Sequence, residues 1–285
     1  MPSISFASIS LFQLCLLASL LTVVRADYPV PRGLPYNDPP QWIQHFRENS
    51  DKGEPSNVGW AYSWGSSMAS DFPSDLEFVP MLWDDRPEHT NSWEDNVNDA
   101  LGRGVKCLLS FNEPDNCNNQ TCMLDLNVAA QHYIDYMNPF HGRAFLGAPA
   151  ITSDPNVGMP WLKGFIAACD GRCSIDFYTV HWYGNWDQQQ LFHDFLFQIH
   201  DILGDGNTQK IWITEARLLS ILQLHAEGTT DQQIAFLDYA IPLLDGLDWV
   251  VRYAWWWTEP GSDGALTDGN GFPTELGQFY TYRGT

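Results

Sequence analysis

The chain has 285 residues, 44% of them hydrophobic and 14% aromatic, with 13 tryptophans and only 17% charged side chains. That is apolar surface enough for one large core, within the size range of a single α/β barrel domain. A formal charge of −21 repels nucleic acid and anionic membranes, which argues against both as partners and leaves a neutral polymer fully compatible.

Ile9 to Val24 form an apolar run that is short for a membrane span, and Val24-Arg25-Ala26 puts small residues at −3 and −1 of a cleavage site after Ala26. Residues 1–26 are therefore expected to be a secretory signal, and the mature protein extracellular. Residues 27–57 read as a Pro-rich lead segment with one short helix at Gln41–Asn49, and the main domain is expected over 58–285. Strands are expected at Val58–Tyr62, Glu77–Leu82, Val105–Phe111, Phe145–Pro149, Ile175–His181, Lys210–Glu215 and Trp249–Trp257. Between and after them come helical patterns at Trp93–Leu101, Met123–Met137 (Leu124, Val128 and Ile134 inward), Met159–Cys169, Asp187–Leu203, Asp231–Leu243 with Thr230 as N-cap, and Glu275–Tyr282. Alternation of this kind argues for a parallel α/β fold, a compact (β/α)8-type TIM barrel. Seven strands are legible; the eighth is expected to be short or irregular, between Asp84 and Val105.

Cys117 and Cys122 bracket one polar loop and Cys169 and Cys173 another, as local disulfides would in an oxidising compartment. Cys107 lies inside a strand and is expected to be a buried free thiol. Asn119-Gln120-Thr121 is a glycosylation sequon. Neither paired CxxC nor HExxH is present, so the spacings make no zinc site and no metal is expected. Asp84-Asp85 reads as exposed loop carboxylates rather than as metal ligands.

The chemistry concentrates at strand ends. The run from Val105 stops at Asn112-Glu113-Pro114, where the proline cannot donate to a sheet ladder and drives Glu113 out of helical geometry. A second run stops at Thr214-Glu215. In a barrel these ends share one rim, and two facing carboxylates are what a retaining glycosidase needs, one as acid/base and one as nucleophile. Tyr62, Trp64, Trp83, His181, Tyr183 and Trp255 reach the same rim. Tyr62, Trp64 and Trp83 suit either a core or a sugar subsite. His181 suits either a substrate contact or a hydrogen-bonded core position. Trp255 is expected to be better placed than Trp256, because alternate residues face opposite ways along a strand.

The series Gly59-Trp60-Ala61-Tyr62-Ser63-Trp64-Gly65, Phe78-Val79-Pro80-Met81-Leu82-Trp83, Phe111-Asn112-Glu113-Pro114, Trp212-Ile213-Thr214-Glu215 and Arg252-Tyr253-Ala254-Trp255 resembles glycoside hydrolase family 128. The resemblance runs from about Asn57 to the end. It implies a compact clan A barrel, a retaining mechanism and endo-β-1,3-glucanase activity on β-glucan, by a monomer without cofactor. Glu113 would be the acid/base and Glu215 the nucleophile. Asn112, otherwise a loop-capping residue, would bond the sugar 2-hydroxyl, and Tyr183 would orient the nucleophile. One departure is Ala216-Arg217 after Glu215, where the family commonly has an aromatic residue. It leaves open a barrel that binds glucan without cutting it, or one that cuts another β-glucan linkage.

Overall fold

The computed structural model describes residues 30–284, apart from 38, 119–120, 205–208, 219–227 and 262–263. The expected signal at residues 1–26 and the sequon residue Asn119 lie outside the described residues. Eight strands follow in order: β1 (Arg32–Pro35), β2 (Val58–Tyr62), β3 (Glu77–Phe78), β4 (Cys107–Leu108), β5 (Phe145–Leu146), β6 (Phe177–Gly184), β7 (Lys210–Leu218) and β8 (Val250–Trp255). Six form a sheet in the order β3-β2-β1-β8-β7-β6, and β4 and β5 form a second. All pairings within these sheets are parallel. Isolated parallel bridges link the two sheets on both flanks, Met81 to Leu109 and Gly147 to Phe177.

The eighth strand corrects the expectation. It is β1, in the lead segment, while the stretch between Asp84 and Val105 holds two helices, Pro87–Thr90 and Trp93–Gly102. Arg32-Gly33-Leu34-Pro35 carries a charge, a glycine and a proline, so it has no strand signature of its own. Its tertiary partners make it one. Gly33 passes so close to Trp60 that a Cβ there would lie 2.1 Å from the indole. Arg32 is buried and donates to the Tyr253 hydroxyl at 2.9 Å, the Tyr280 carbonyl at 2.7 Å and the Arg283 carbonyl at 2.6 Å.

The other main helices run Leu126–Tyr136, Gly158–Cys169, Gln189–Leu203, Thr230–Gly246 and Glu275–Tyr282, and the short Gln41–Asn49 helix is a 3-10 helix at Pro40–Phe46. Two details differ. The N-cap of helix 230–246 is Thr229, in a capping box with Gln232. Helix 126–136 buries Ala129, Ala130 and Tyr133, while Leu124 and Val128 are 63% and 44% exposed. Small residues win that face because the helix lies tight against helix 158–169, with Leu126 filling the space a side chain on Gly164 would occupy. Cys117–Cys122 and Cys169–Cys173 are disulfides and Cys107 is a buried thiol. No helix among the described residues is long and apolar enough to cross a membrane.

Apolar side chains pack in two clusters. The larger lies between the sheet and the helices. The smaller, around Trp60, Phe177 and Trp212, fills the opposite face of the strands. Arg252 stacks over Trp60 and Trp212 there and pairs with Glu77.

Candidate active site

Glu113 lies just past β4. Its φ is +45°, a left-handed conformation that costs a non-glycine residue about 1–3 kcal/mol and persists only where neighbours enforce it. The neighbours are on both sides: Asn112 N–H donates to the Trp83 carbonyl at 2.9 Å, and Glu113 N–H to the Ala150 carbonyl at 2.8 Å. Asp115 accepts the Thr152 hydroxyl and backbone N–H, tying the same loop to the one after β5. The Glu113 carboxyl thus points inward, buried, with His181 Nδ1 at 2.8 Å from Oε1 and Asn116 Nδ2 at 3.1 Å from Oε2.

Glu215 does not end its strand; β7 continues to Leu218. The register slips against β6 beside His181, and against β8 between Ile213 and Ala216. Irregularities of this kind re-aim a side chain, and here Glu215 comes level with His181 on β6. Trp64 Nε1 donates to Glu215 Oε1 at 2.8 Å, and the Tyr183 hydroxyl donates to Oε2. Trp64 is a second left-handed residue, with φ +56°.

His181 stands between the two carboxylates, its Nδ1 3.5 Å from Glu215 Oε2. Oxygens of Glu113 and Glu215 and a nitrogen of His181 all lie within 4.8 Å of one another. Such a trio resembles a cation site, but each carboxylate oxygen already accepts a bond from His181, Asn116, Trp64 or Tyr183. With one donor on each oxygen and the imidazole between them, the trio suits proton sharing.

Burial drives the Glu215 carboxyl above its ordinary value and the charge of Glu113 adds to it, against the opposing His181, Tyr183 and Trp64. Burial also pushes Glu113 up, but the His181 hydrogen bond and charge, with Asn116, outweigh it, so Glu113 sits lower than usual. Burial lowers the His181 imidazole, and the two glutamates more than reverse that. These directions run opposite to what an acid/base Glu113 and a nucleophile Glu215 would need. The difference is distance: the imidazole is nearer Glu113 than Glu215.

A cleft of about 1330 Å³ opens over these groups, its lining running from Asn37 after β1 through Trp64, Trp83, Asn112, Glu113, Tyr183 and Glu215 to Leu191 and Gln198 on helix 189–203. Of the expected site residues, Asn112, Trp64, Trp83 and Tyr183 line it with both glutamates. Three do not. Tyr62 is buried beneath, its hydroxyl on the Thr214 carbonyl at 2.8 Å. His181 is fully buried between the carboxylates. Trp255 faces the helices, beside Phe236. Alternation along β8 holds, but Arg252 and Ala254 face inward, so Trp256 follows them. Trp256 stacks on Trp257 at 4.7 Å, and both line the cleft. Arg217 lies over Trp256 at 4.7 Å. Asp84 also differs from expectation: it is buried, and holds Arg86 and His89 beside Trp83. Asn116 and Arg217 were not expected at the cleft, and Trp256 lines it where Trp255 was preferred. Asn116 had one signal, its place three residues after Glu113 and next to the cysteine that opens a local disulfide.

A parallel α/β scaffold that drives two buried glutamates together beneath an aromatic-walled cleft is the architecture of a glycoside hydrolase. The family model described as "Glycosyl hydrolase catalytic core" matches residues 33–280. The chain belongs to that group, and within it to glycoside hydrolase family 128. A solved family 128 structure from Blastomyces gilchristii, a subgroup III curdlan-specific exo-β-1,3-glucanase in complex with glucose, is 30% identical, covers 88% of this chain and 97% of its own, and superposes with a TM-score of 0.73. A subgroup IV endo-β-1,3-glucanase from Lentinula edodes shares the fold at 24% identity, covering 88% of this chain and 98% of its own, TM-score 0.69. Alkali-sensitive linkage protein 1 of Schizosaccharomyces pombe is 29% identical over 240 residues, 81% of this chain. The chain spans 41% of the length of that relative.

Proposed function

We propose that the protein is a secreted, retaining endo-β-1,3-glucanase acting on wall β-glucan as a monomer. The observation that carries it is the carboxyl pair: oxygens of Glu113 and Glu215 within 4.8 Å match the roughly 5 Å spacing of retaining enzymes, and leave no room for the water that an inverting enzyme places between its carboxyls. The bridges from Met81 to Leu109 and from Gly147 to Phe177 support a sheet closed into a (β/α)8 barrel, whose rim the cleft would occupy.

On this reading Glu215, its oxygens held by Trp64 and Tyr183, attacks the anomeric carbon. Glu113 protonates the leaving oxygen, then takes a proton from the water that releases the glycosyl-enzyme. His181 Nδ1, 2.8 Å from Glu113 Oε1, is placed to hand over that first proton. A sugar that covers the site removes water and disfavours three separated charges. Moving the proton to Glu113 Oε1 neutralises two of them and leaves Glu215 ionised, as attack requires. Asn112 lines the cleft beside Glu113, where it would bond the sugar 2-hydroxyl. Trp64, Trp83, Trp256 and Trp257 would stack sugar rings.

Cutting from chain ends is a second reading, favoured by the exo-acting, curdlan-specific relative at 30% identity. Purified mature protein on linear β-1,3-glucan separates the two. Mixed oligosaccharides support internal cutting and glucose alone supports end cutting, both with the β-anomer formed first. Tight binding without products, or products of the α-anomer, would overturn retaining hydrolysis. Full activity of Glu113→Gln or Glu215→Gln would overturn the assignment of the pair.

A further inference from the structure

The Glu113 carboxylate has an attachment besides His181. Asn116 Nδ2 donates to its Oε2 at 3.1 Å, while Asn116 Oδ1 accepts the Asn118 backbone N–H at 2.9 Å. The second bond settles which way the amide faces, because a backbone N–H meets only the oxygen. The surrounding loop is held at several points. Asn116 N–H donates to the Glu113 carbonyl at 3.0 Å, and Met123 N–H returns to the Pro114 carbonyl at 2.7 Å. Thr121 Oγ1 donates to the Asn112 carbonyl at 2.9 Å. Between these anchors the Cys117–Cys122 disulfide closes the loop. Asn116, Cys117 and Asn118 all line the cleft.

We propose that Asn116 is a positioning residue for the Glu113 carboxyl, and that the Cys117–Cys122 disulfide is the clamp that keeps it in place. This rests on Glu113 being the acid/base. A carboxyl that gives its proton to a leaving oxygen and later takes one from water needs a defined orientation of its plane. His181 pins one oxygen and leaves the group free to turn about that contact. A donor on the other oxygen stops the turn. The Asn116 bond also favours the ionised form, acting with His181 against burial. The other titratable groups around Glu113 are Glu215 on β7, Tyr183 on β6, Tyr62 on β2 and Asp115 on its own loop.

The test compares Asn116→Ala, Asn116→Asp and the double variant Cys117→Ser/Cys122→Ser on two substrates. One is β-1,3-glucan. The other is a dinitrophenyl glucoside, whose departing group needs no proton. For Asn116→Ala and the disulfide variant, kcat/KM on glucan is expected to fall about 10-fold or more, the scale of a lost hydrogen bond to a charged group. The loss lies in kcat rather than KM, and kcat/KM on the aryl glucoside stays close to the parent value. The alkaline limb of the glucan profile moves to higher pH, because an acid that loses a donor to its anion keeps its proton longer. It moves further in Asn116→Asp, which sets a second carboxylate against the first. Equal losses on both substrates with unmoved limbs would mean simple loop damage and overturn the proposal. Parent values throughout would overturn it too. Glu113→Gln separates the two levels: if it is inactive while Asn116→Ala is normal, only the positioning role fails. If it is fully active, the acid/base reading fails and the positioning role with it.

Discussion

Tyr183→Phe removes one oxygen atom from the floor of the cleft. That hydroxyl donates to Glu215 Oε2, one of two neutral donors on a carboxylate that is 5% exposed. Hydrogen bonds to a charged group are worth about 1.5–3 kcal/mol, and Glu215 must be ionised to attack. The change should therefore cost about 10- to 150-fold in kcat/KM on β-1,3-glucan. Burial already lifts the Glu215 carboxyl, and Tyr183 is one of the groups that hold it down. Without the hydroxyl it is lifted further, so the acid limb of the kcat/KM profile moves to higher pH while the alkaline limb stays. The assay is initial rates of reducing-end release across pH, with melting temperature as a control for folding. A Tyr183→Phe enzyme with parental kcat/KM and an unmoved acid limb would refute the role of Glu215 as nucleophile held by Tyr183.

The other expectations rest on separate parts of the molecule. With azide and an aryl β-glucoside, Glu215→Ala should yield an α-glucosyl azide and Glu113→Ala a β-glucosyl azide, read by NMR; the reverse pattern would exchange their roles. Between neutral and alkaline pH, the folded protein holds the His181 proton more tightly than the unfolded chain, because its imidazole is raised by the two glutamates against burial. Stability from this group is full below about pH 6.5, the unfolded value, and is lost as pH rises through the raised folded value. His181→Gln should flatten that fall in a plot of melting temperature against pH. Gly33→Ala puts a methyl into the Trp60 indole and should cost about 1–3 kcal/mol by denaturant unfolding; an unchanged midpoint would contradict the close approach of β1 to β2.

The helices and most strands were legible because each carries its own hydrophobic period. Glu113 was legible for a local reason as well, since Pro114 announces where the run from Val105 must stop. What escaped depended on partners distant in sequence. Arg32–Pro35 becomes a strand only through β2, β8 and the last helix. The inward face of helix 126–136 follows from its tight packing on helix 158–169, which favours alanine over leucine. Choosing between Trp255 and Trp256 required the phase of β8, which Arg252 sets by stacking on Trp60 and Trp212. His181 was recognisable as a rim residue, but the slip in register that puts it between two carboxylates leaves no trace in composition or spacing. Asn116 shows the same limit: its spacing from Glu113 and Cys117 is legible, but where its amide points is not.

The position of β1 bears on how the chain is made. It pairs with β2 on one side and β8 on the other, and the Arg32 to Tyr253 bond spans 221 positions. At translation rates of about 5–20 residues per second, the β8-facing edge of β1 waits on the order of 10 to 45 seconds for its neighbour. An open strand edge in that interval invites pairing with other nascent chains, and charge and proline are the usual protections. Arg32 and Pro35 supply both. The two residues that disguise β1 as a loop are thus also those that would guard its open edge until β8 and the last helix cover it.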